Sequence, residues 1–391
     1  VPAEQPGRVA AVLAASMQCV STKYFQAEVK LMKASRDGKR FVYLATAISA
    51  LGGMLFGYDI GVISGAILFV RTAFGLSTTM EEIVVSSVLC GSLVGAGVGG
   101  VLADRLGRRK LLIATAVVFA CGAIGAAVAQ GTFELIAARL IAGVAIGIAS
   151  FVAPLYISEI APVAIRGELV SINQVAITAG IVSSYLIDYA FAPSGAWRWM
   201  FALAIVPAAV FGVGLLFVPD SPRWLVGRGR IDQARAVLNR IRTADEVEGE
   251  LKENQQSVSK QKAGWSELLS PLVRPALIVG VGLAIAQQFT GINTVIYYAP
   301  TILKFAGFSS SSVAILASVG IGLVNVVLTL VAMQLIDRIG RRPLLLRPCH
   351  EHWNHGQLDR QPARRPDLPF TRSRYRQISH ILALRRDQYC V

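Results

Sequence analysis

The chain has 391 residues, of which 54% are hydrophobic and 16% charged, and its mean hydropathy is +0.55. A soluble domain carries about a quarter charged residues, so this composition excludes an ordinary cytosolic enzyme, and its apolar content excludes disorder over most of the length. The formal charge of +14 does not mark a nucleic-acid binder, because Lys and Arg stand in short clusters between long apolar runs, the layout of a polytopic membrane protein.

Residues 1–40 read as a cytoplasmic N-terminal segment. The first 16 precede Met17 and are too weakly apolar for a signal peptide, which points to translated upstream sequence. A membrane span needs roughly 20 mainly apolar residues. Eight stretches qualify: 42–69, 83–102, 111–130, 133–153, 170–192, 199–218, 275–304 and 312–336. The first six form an N-terminal bundle over 41–218, and the last two a partial bundle over 275–346. The links after spans two, four and six hold most of the basic residues, which places the N-terminus, the central loop and the C-terminal tail in the cytoplasm.

The loop over 219–274 is the one sizeable hydrophilic insert. Within it Ile231, Ala234, Val237, Leu238 and Ile241 recur at helical spacing, and a second short helix is expected from Trp265 to Leu269. The Glu/Lys/Gln-rich sequence between them is expected to stay solvated. After Leu346 the character changes abruptly to Arg, Pro, Asp and Gln, and all four histidines fall in this aberrant hydrophilic tail, 347–391. A reading-frame change or truncation is expected there, with a genuine cytoplasmic tail as the rival. His350, His352 and His355 have ligand-like spacing, but no metal site is expected in such sequence. The five cysteines show no paired spacing for a zinc module or a disulfide scaffold.

An internal repeat stands out. Asp104-Arg-Leu-Gly-Arg-Arg-Lys110 recurs as Asp337-Arg-Ile-Gly-Arg-Arg-Pro343, each copy directly after the second span of a block. Two blocks of helices joined by a long loop suggest a transporter built of parallel halves. The glycine of each copy (Gly107, Gly340) permits a tight two-helix turn. Asp104, Arg105, Arg108 and Arg109, like Asp337, Arg338, Arg341 and Arg342, can bond exposed helix ends and neighbouring loops.

With these motifs the chain resembles the sugar porter family of the major facilitator superfamily. The matching pieces run in order: Gly57-Tyr-Asp-Ile-Gly-Val-Ile-Ser-Gly65, the first Asp-Arg-x-Gly-Arg-Arg loop, Arg139, Pro154-Leu-Tyr-Ile-Ser-Glu159 and Arg166-Gly167. Then follow Asn173-Gln174, Pro219-Asp-Ser-Pro-Arg-Trp-Leu225, and Gln287-Gln-Phe-Thr-Gly-Ile-Asn293 with Tyr297-Tyr298. The resemblance covers 40–346 and implies an all-α membrane protein of the major facilitator fold. The six-helix N-terminal bundle is complete and the C-terminal one incomplete, about eight transmembrane helices in all. The family has twelve spans. Helices nine to twelve, with a tryptophan of helix ten that resembles a floor under the sugar, have no counterpart here, and transport by the chain as written is expected to be impaired.

Asp59 is the sharpest single residue. A carboxylate within a span costs on the order of 2.5–3.5 kcal/mol, so it faces a cavity or a partner. At 1.5 Å per residue, Asp59 in span one and Arg139 in span four both sit roughly 12–16 Å below the outer surface and can meet. Such a pair supports proton coupling, since protonating Asp59 releases Arg139 and changes the preferred packing. The resemblance implies the same, for an acid at this place accompanies proton symport in the family. A permanent ion pair that only orients helices is the alternative.

Gln174, Gln287, Gln288 and Asn293 form a second group. Amides both donate and accept, matching sugar hydroxyls without a charge to desolvate, and Tyr297 and Tyr298 can cover the apolar face of a pyranose. Single amides also serve as interhelical glue. At about 100° per residue Gln287, Gly291 and Tyr298 share one face while Asn293 and Tyr297 point away. A break near Gly291-Ile292 is therefore expected. Glu159, Arg166, Asp220 and Arg223, with Arg105, Arg108 and Arg109, are expected to form a cytoplasmic gate of weak pairs; the resemblance implies that such charges bridge the halves.

The function expected is transport of a monosaccharide or polyol across the cell membrane, proton-coupled, by alternating access. The alternatives are a facilitative uniporter, a non-transporting sugar sensor and an inert product of a damaged gene. No enzymatic activity, no cofactor beyond the coupling proton, no nucleic acid and no obligate protein partner are expected. The partners are the sugar or polyol and the lipid bilayer.

Overall fold

Apolar runs in a bilayer can satisfy their backbone locally only as helices. The computed structural model, which describes residues 36–163, 165–260, 270, 273–308 and 310–339, has no strand among them. In chain order α1 (Arg36–Phe74), α2 (Thr78–Leu106), α3 (Arg108–Val128), α4 (Thr132–Ile160) and α5 (Arg166–Phe191) are continuous. The sixth span is two pieces, α6 (Trp197–Ala202) and α7 (Ile205–Leu216). Pro207 has no N–H to give the Leu203 carbonyl, and the Val206 N–H takes that carbonyl instead, at 3.1 Å. α14 (Ser311–Ile339) follows later as another long apolar helix.

Seven stretches among the described residues are long and apolar enough to cross a membrane: Gly38–Phe74, Thr78–Leu106, Arg108–Val128, Thr132–Ile160, Arg166–Ser194, Trp197–Leu216 and Ser311–Ile336. The chain is a multi-pass membrane protein of all-α type. Large apolar side chains such as Leu93, Phe133 and Phe217 stand largely exposed on these helices, as a protein with lipid for solvent permits.

The seventh expected span, 275–304, is not one helix. It is broken into α11 (Arg274–Phe289), α12 (Ile292–Tyr297) and α13 (Ala299–Phe305). Gly291 turns into the left-handed region, φ +69°, where a side chain would cost about 1–2 kcal/mol, and Pro300 opens α13 in the first turn, where its missing N–H does no harm. The break expected at Gly291-Ile292 is present.

Between helices the driving force in lipid is close packing rather than burial from water. Two glycine seams supply it. Gly53, Gly57, Gly61 and Gly65 line α1 at four-residue spacing and lie directly on Asn173, Ile177, Ser184 and Asp188 of α5. Gly91 and Gly95 of α2 meet Leu140 and Val144 of α4, and Gly143 and Gly147 of α4 meet Val88 and Ser92 in return. Ser92 adds an interhelical bond, its hydroxyl donating to the Gly143 carbonyl at 3.1 Å.

After the sixth span come α8 (Pro222–Gly227), α9 (Ile231–Ile241) and α10 (Ala244–Lys260). The amphipathic stretch at 231–241 forms α9 as expected, burying Ala234, Leu238 and Ile241. The Glu/Lys/Gln-rich stretch expected to stay solvated forms the helix α10, with Glu248, Lys252, Glu253 and Gln255 exposed. Val247 and Leu251 dock it, being buried, and ion pairs Arg235–Glu248 at 2.9 Å and Arg242–Glu250 at 2.6 Å fasten it to α9 and the turn after it. Residues 265–269 and the tail 347–391 lie outside the described residues.

Candidate functional site

The Asp59–Arg139 pair forms in the middle of the bundle. α1 carries Asp59 on the face toward α4, and the Arg139 guanidinium approaches it as a fork, Nη2 to Oδ2 at 3.3 Å and Nη1 to Oδ1 at 3.4 Å. Arg139 is 1% exposed and Asp59 5%. The arginine has further anchors: Nε donates to the Val84 carbonyl of α2 at 3.0 Å, and its guanidinium carbon lies 6.0 Å from the Phe201 ring centroid. Two opposite charges so enclosed attract strongly, but each also bears a desolvation cost of several kcal/mol. The balance can therefore be tipped by one proton. A void of about 10 Å³ adjoins both side chains, with Tyr58, Phe119 and Gly122 also in its wall, at the lower limit for one water molecule.

The amide and tyrosine group divides. Tyr297 of α12 is buried and lies within electrostatic reach of Asp59 and Arg139, and the preceding carbonyl, Ile296, accepts a bond from the Tyr185 hydroxyl at 2.8 Å. Thus α12 is tied to α5 and α1 at the level of the ion pair. Tyr298, at the junction of α12 and α13, packs partly against the same core. Gln174, Gln287 and Gln288 are exposed; they do not converge on an enclosed space. Asn293 donates to the Gln288 side-chain oxygen at 3.3 Å across the break, a contact that an unbroken helix would not make at this spacing. A larger groove of about 370 Å³, lined by Leu51, Met54, Ile187, Val206 and Val210 among others, is almost wholly apolar. It includes none of the amides.

At the far end of the bundle the first Asp-Arg-x-Gly-Arg-Arg turn docks onto the Pro219–Leu225 segment. Arg108 reaches Glu159 at 3.0 Å and Asp104 at 3.2 Å. The Arg109 N–H donates to Asp220 at 3.1 Å, while its guanidinium donates to the Leu215 and Leu216 carbonyls at 2.9 and 2.6 Å. The Trp224 indole donates to the Asp104 carbonyl at 2.9 Å, and Arg228 donates to the Asp104 and Arg105 carbonyls. Burial pushes the Asp220 carboxyl above the ordinary carboxylate range, a shift that the Arg109 N–H and guanidinium partly offset. Arg108 and Arg109 therefore close the ends of α2, α3 and α7 within one bundle. No hydrogen bond or ion pair among the described residues engages the side chains of Arg105, Arg166 or Arg223. The side chains of Asp337 and Arg338, with Gly340, Arg341 and Arg342, lie outside the described residues.

Gly107 makes the docking possible. Its φ of +91° and ψ of 155° are open to glycine alone, and a methyl group there would come within 2.9 Å of the Asp220 carboxylate and 3.1 Å of the Trp224 ring. Gly107→Ala is expected to lower stability by about 1–3 kcal/mol, read as a fall in the thermal midpoint of the detergent-solubilised protein. Gly97→Ala, on the same helix with nothing within 4 Å, is the control that should not move.

One buried group escaped sequence reasoning. Asp188 of α5 is 0% exposed, and neither carboxylate oxygen has a well-formed hydrogen bond, the Gly65 backbone N–H being the one donor within reach. The rule that singled out Asp59, a carboxylate inside an apolar span, applies to it equally; its place near the end of the span hides it among residues that commonly reach the interface.

The family model described as "Sugar (and other) transporter" matches residues 45–348. The chain is 48% identical over 297 residues to the putative metabolite transport protein YwtG of Bacillus subtilis, covering 76% of this chain and 65% of the relative. It is 42% identical over 315 residues to the galactose-proton symporter of Escherichia coli, covering 80% and 68%. Among solved structures it is similar to the proton:xylose symporter XylE bound to 6-bromo-6-deoxy-D-glucose, with a TM-score of 0.72 and 34% identity over 78% of this chain and 71% of that one. A partially occluded, inward-open XylE from E. coli matches with a TM-score of 0.69 and 32% identity over 78% and 75%. The chain thus spans just under two thirds of the length of the Bacillus relative.

Proposed function

The chain belongs to the sugar (and other) transporter family, and on that premise we propose that it serves proton-coupled transport of a monosaccharide or polyol by alternating access, with Asp59 and Arg139 as the coupling pair. The observation that carries this reading is the enclosed fork between them, 3.3 and 3.4 Å. A carboxylate held by one arginine and little else changes its packing when it takes up a proton. Arg139 then keeps its bond to Val84 in α2 and its place beside Phe201, so α1, relieved of the ion pair, is the element free to shift against α2 and α4. Tyr297, buried within electrostatic reach of the pair, extends the effect to α12. Because α12 is a short segment flanked by the Gly291 break, it can move without bending a full-length helix.

In this reading the sugar contacts come from Gln174, Gln287, Gln288, Asn293, Tyr297 and Tyr298, gathered when the two halves close on the substrate. The N-terminal segment and the central loop face the cytoplasm, and Glu159, Asp220 and the arginines around them steady the inner end of the bundle. Support comes from the relatives: one is a galactose-proton symporter, and one solved neighbour a proton:xylose symporter.

The test is Asp59→Asn in a chain completed by the remaining helices of a relative. Radiolabelled sugar accumulation against its gradient should be abolished, while exchange of internal for external sugar persists. Undiminished accumulation, or uptake with no accompanying change in external pH, would reject the coupling role.

A further inference from the structure

We propose that Asp188 is a second proton-binding site, one that holds its proton while α1 and α5 are packed together and gives it up when they part. Its carboxyl is fully buried against Gly65 of α1, and neither oxygen touches a space large enough for a water molecule. A metal or hydrated cation has no room there. A proton needs none.

The surroundings offer an ionised carboxylate one donor, the Gly65 backbone N–H, and no counter-charge. The hydroxyls nearby are committed to backbone carbonyls: Ser64 to Gly61 at 2.7 Å, Ser184 to Ile181 at 2.8 Å, Tyr58 to Met200 at 2.8 Å and Tyr185 to Ile296 at 2.8 Å. Tyr58 and Tyr185 are the titratable groups that face it, from α1 and from its own helix. Arg166 stands at the opposite end of α5, and the cations nearer this end of the packed elements are engaged elsewhere. Arg139 of α4 holds Asp59, Arg71 of α1 holds Glu81, and Arg198 of α6 donates to the Ala129 carbonyl and covers the Trp197 ring. The Gly65 N–H lies inside α1, where the helix's own ladder uses it. An unpaired charge in such a place is far costlier than a neutral acid.

The glycine seam then acts as the valve. Gly65 is the last of four glycines that let α1 lie on α5, and the carboxyl occupies the space in which a Cβ would stand. When the helices separate, water reaches the group, the O–H bond breaks with its electron pair left on the carboxylate oxygen, and the proton passes to water. Repacking demands the reverse. The site rests on burial and packing alone, not on the coupled-transport reading.

Infrared spectroscopy of the purified full-length chain at neutral pH, without sugar, tests this directly. The carbonyl stretch of a neutral carboxylic acid should be present, should shift down in D₂O, and should vanish in Asp188→Asn while persisting in Asp59→Asn. Labelling aspartate side chains with ¹³C should move the same band, which assigns it without any substitution. Absence of the band in the unaltered protein, its survival in Asp188→Asn, or its indifference to the aspartate label would each overturn the proposal. Since no substrate is present, failure here leaves the transport reading standing, and failure of transport leaves this one intact.

Discussion

Replacing Arg139 by leucine is expected to cost about 3–5 kcal/mol, because it strands the Asp59 carboxylate in the bundle without a counter-charge. Arg139 is 1% exposed and touches three helices, through Asp59 of α1, Val84 of α2 and Phe201 of α6. The readout is the fraction of monodisperse protein after heating in detergent, and most of the folded protein should be lost. Removing both charges, Asp59→Leu with Arg139→Leu, should recover a large part of the loss, since a buried pair exchanged for apolar groups of similar size is often neutral. A double variant no more stable than Arg139→Leu alone would mean that the arginine acts through Val84 and Phe201 rather than through Asp59. The two substitutions are in contact, so their effects should not add.

Gly143→Leu and Gly57→Leu should each prevent folding altogether, while Gly97→Leu should change stability by less than about 0.5 kcal/mol. At Gly143 the new side chain would start inside the Val88 carbonyl, and at Gly57 inside that of Ile177. In both cases the obstacle is backbone of a facing helix, which cannot rotate away as a side chain can. Overpacking by single methyl groups typically costs 1–3 kcal/mol; an isobutyl group against rigid backbone must separate the helices along their length, and with them the whole seam. Gly97 is exposed on the same α2 that carries the Gly91 and Gly95 contacts and has nothing within 4 Å. Size-exclusion profiles of the three variants decide the matter. A folded Gly143→Leu would show that α2 and α4 are not held at this distance.

Much of the site was legible because depth and hydropathy are local properties. Counting 1.5 Å per residue along two apolar runs was enough to bring Asp59 level with Arg139, and the pair is made. Face arithmetic over Gln287, Gly291, Asn293 and Tyr298 called for a break, and Gly291 supplies it with φ +69°. What stayed hidden involves partners distant in sequence. Arg108 and Arg109 look alike as loop charges, yet one turns to Glu159 and the other to the ends of α7 and the Asp220 carboxylate. The amides share a chemistry, but Gln174 and the Gln287-Gln288 pair lie exposed on separate helices.

The apolar runs, the basic links and the glycine and proline positions determined by themselves that this is a helical membrane protein, where its spans run, and where the seventh must break. Each of these follows from the cost of an unsatisfied backbone or a buried charge in lipid, which a residue bears whatever its neighbours are. Tertiary structure alone decided which glycine meets which carbonyl, that α10 finds a surface for Val247 and Leu251, and that Asp188 has no counter-charge while Asp59 has one. Two aspartates equally costly in isolation end in opposite situations because the helices bring an arginine to one and a glycine to the other.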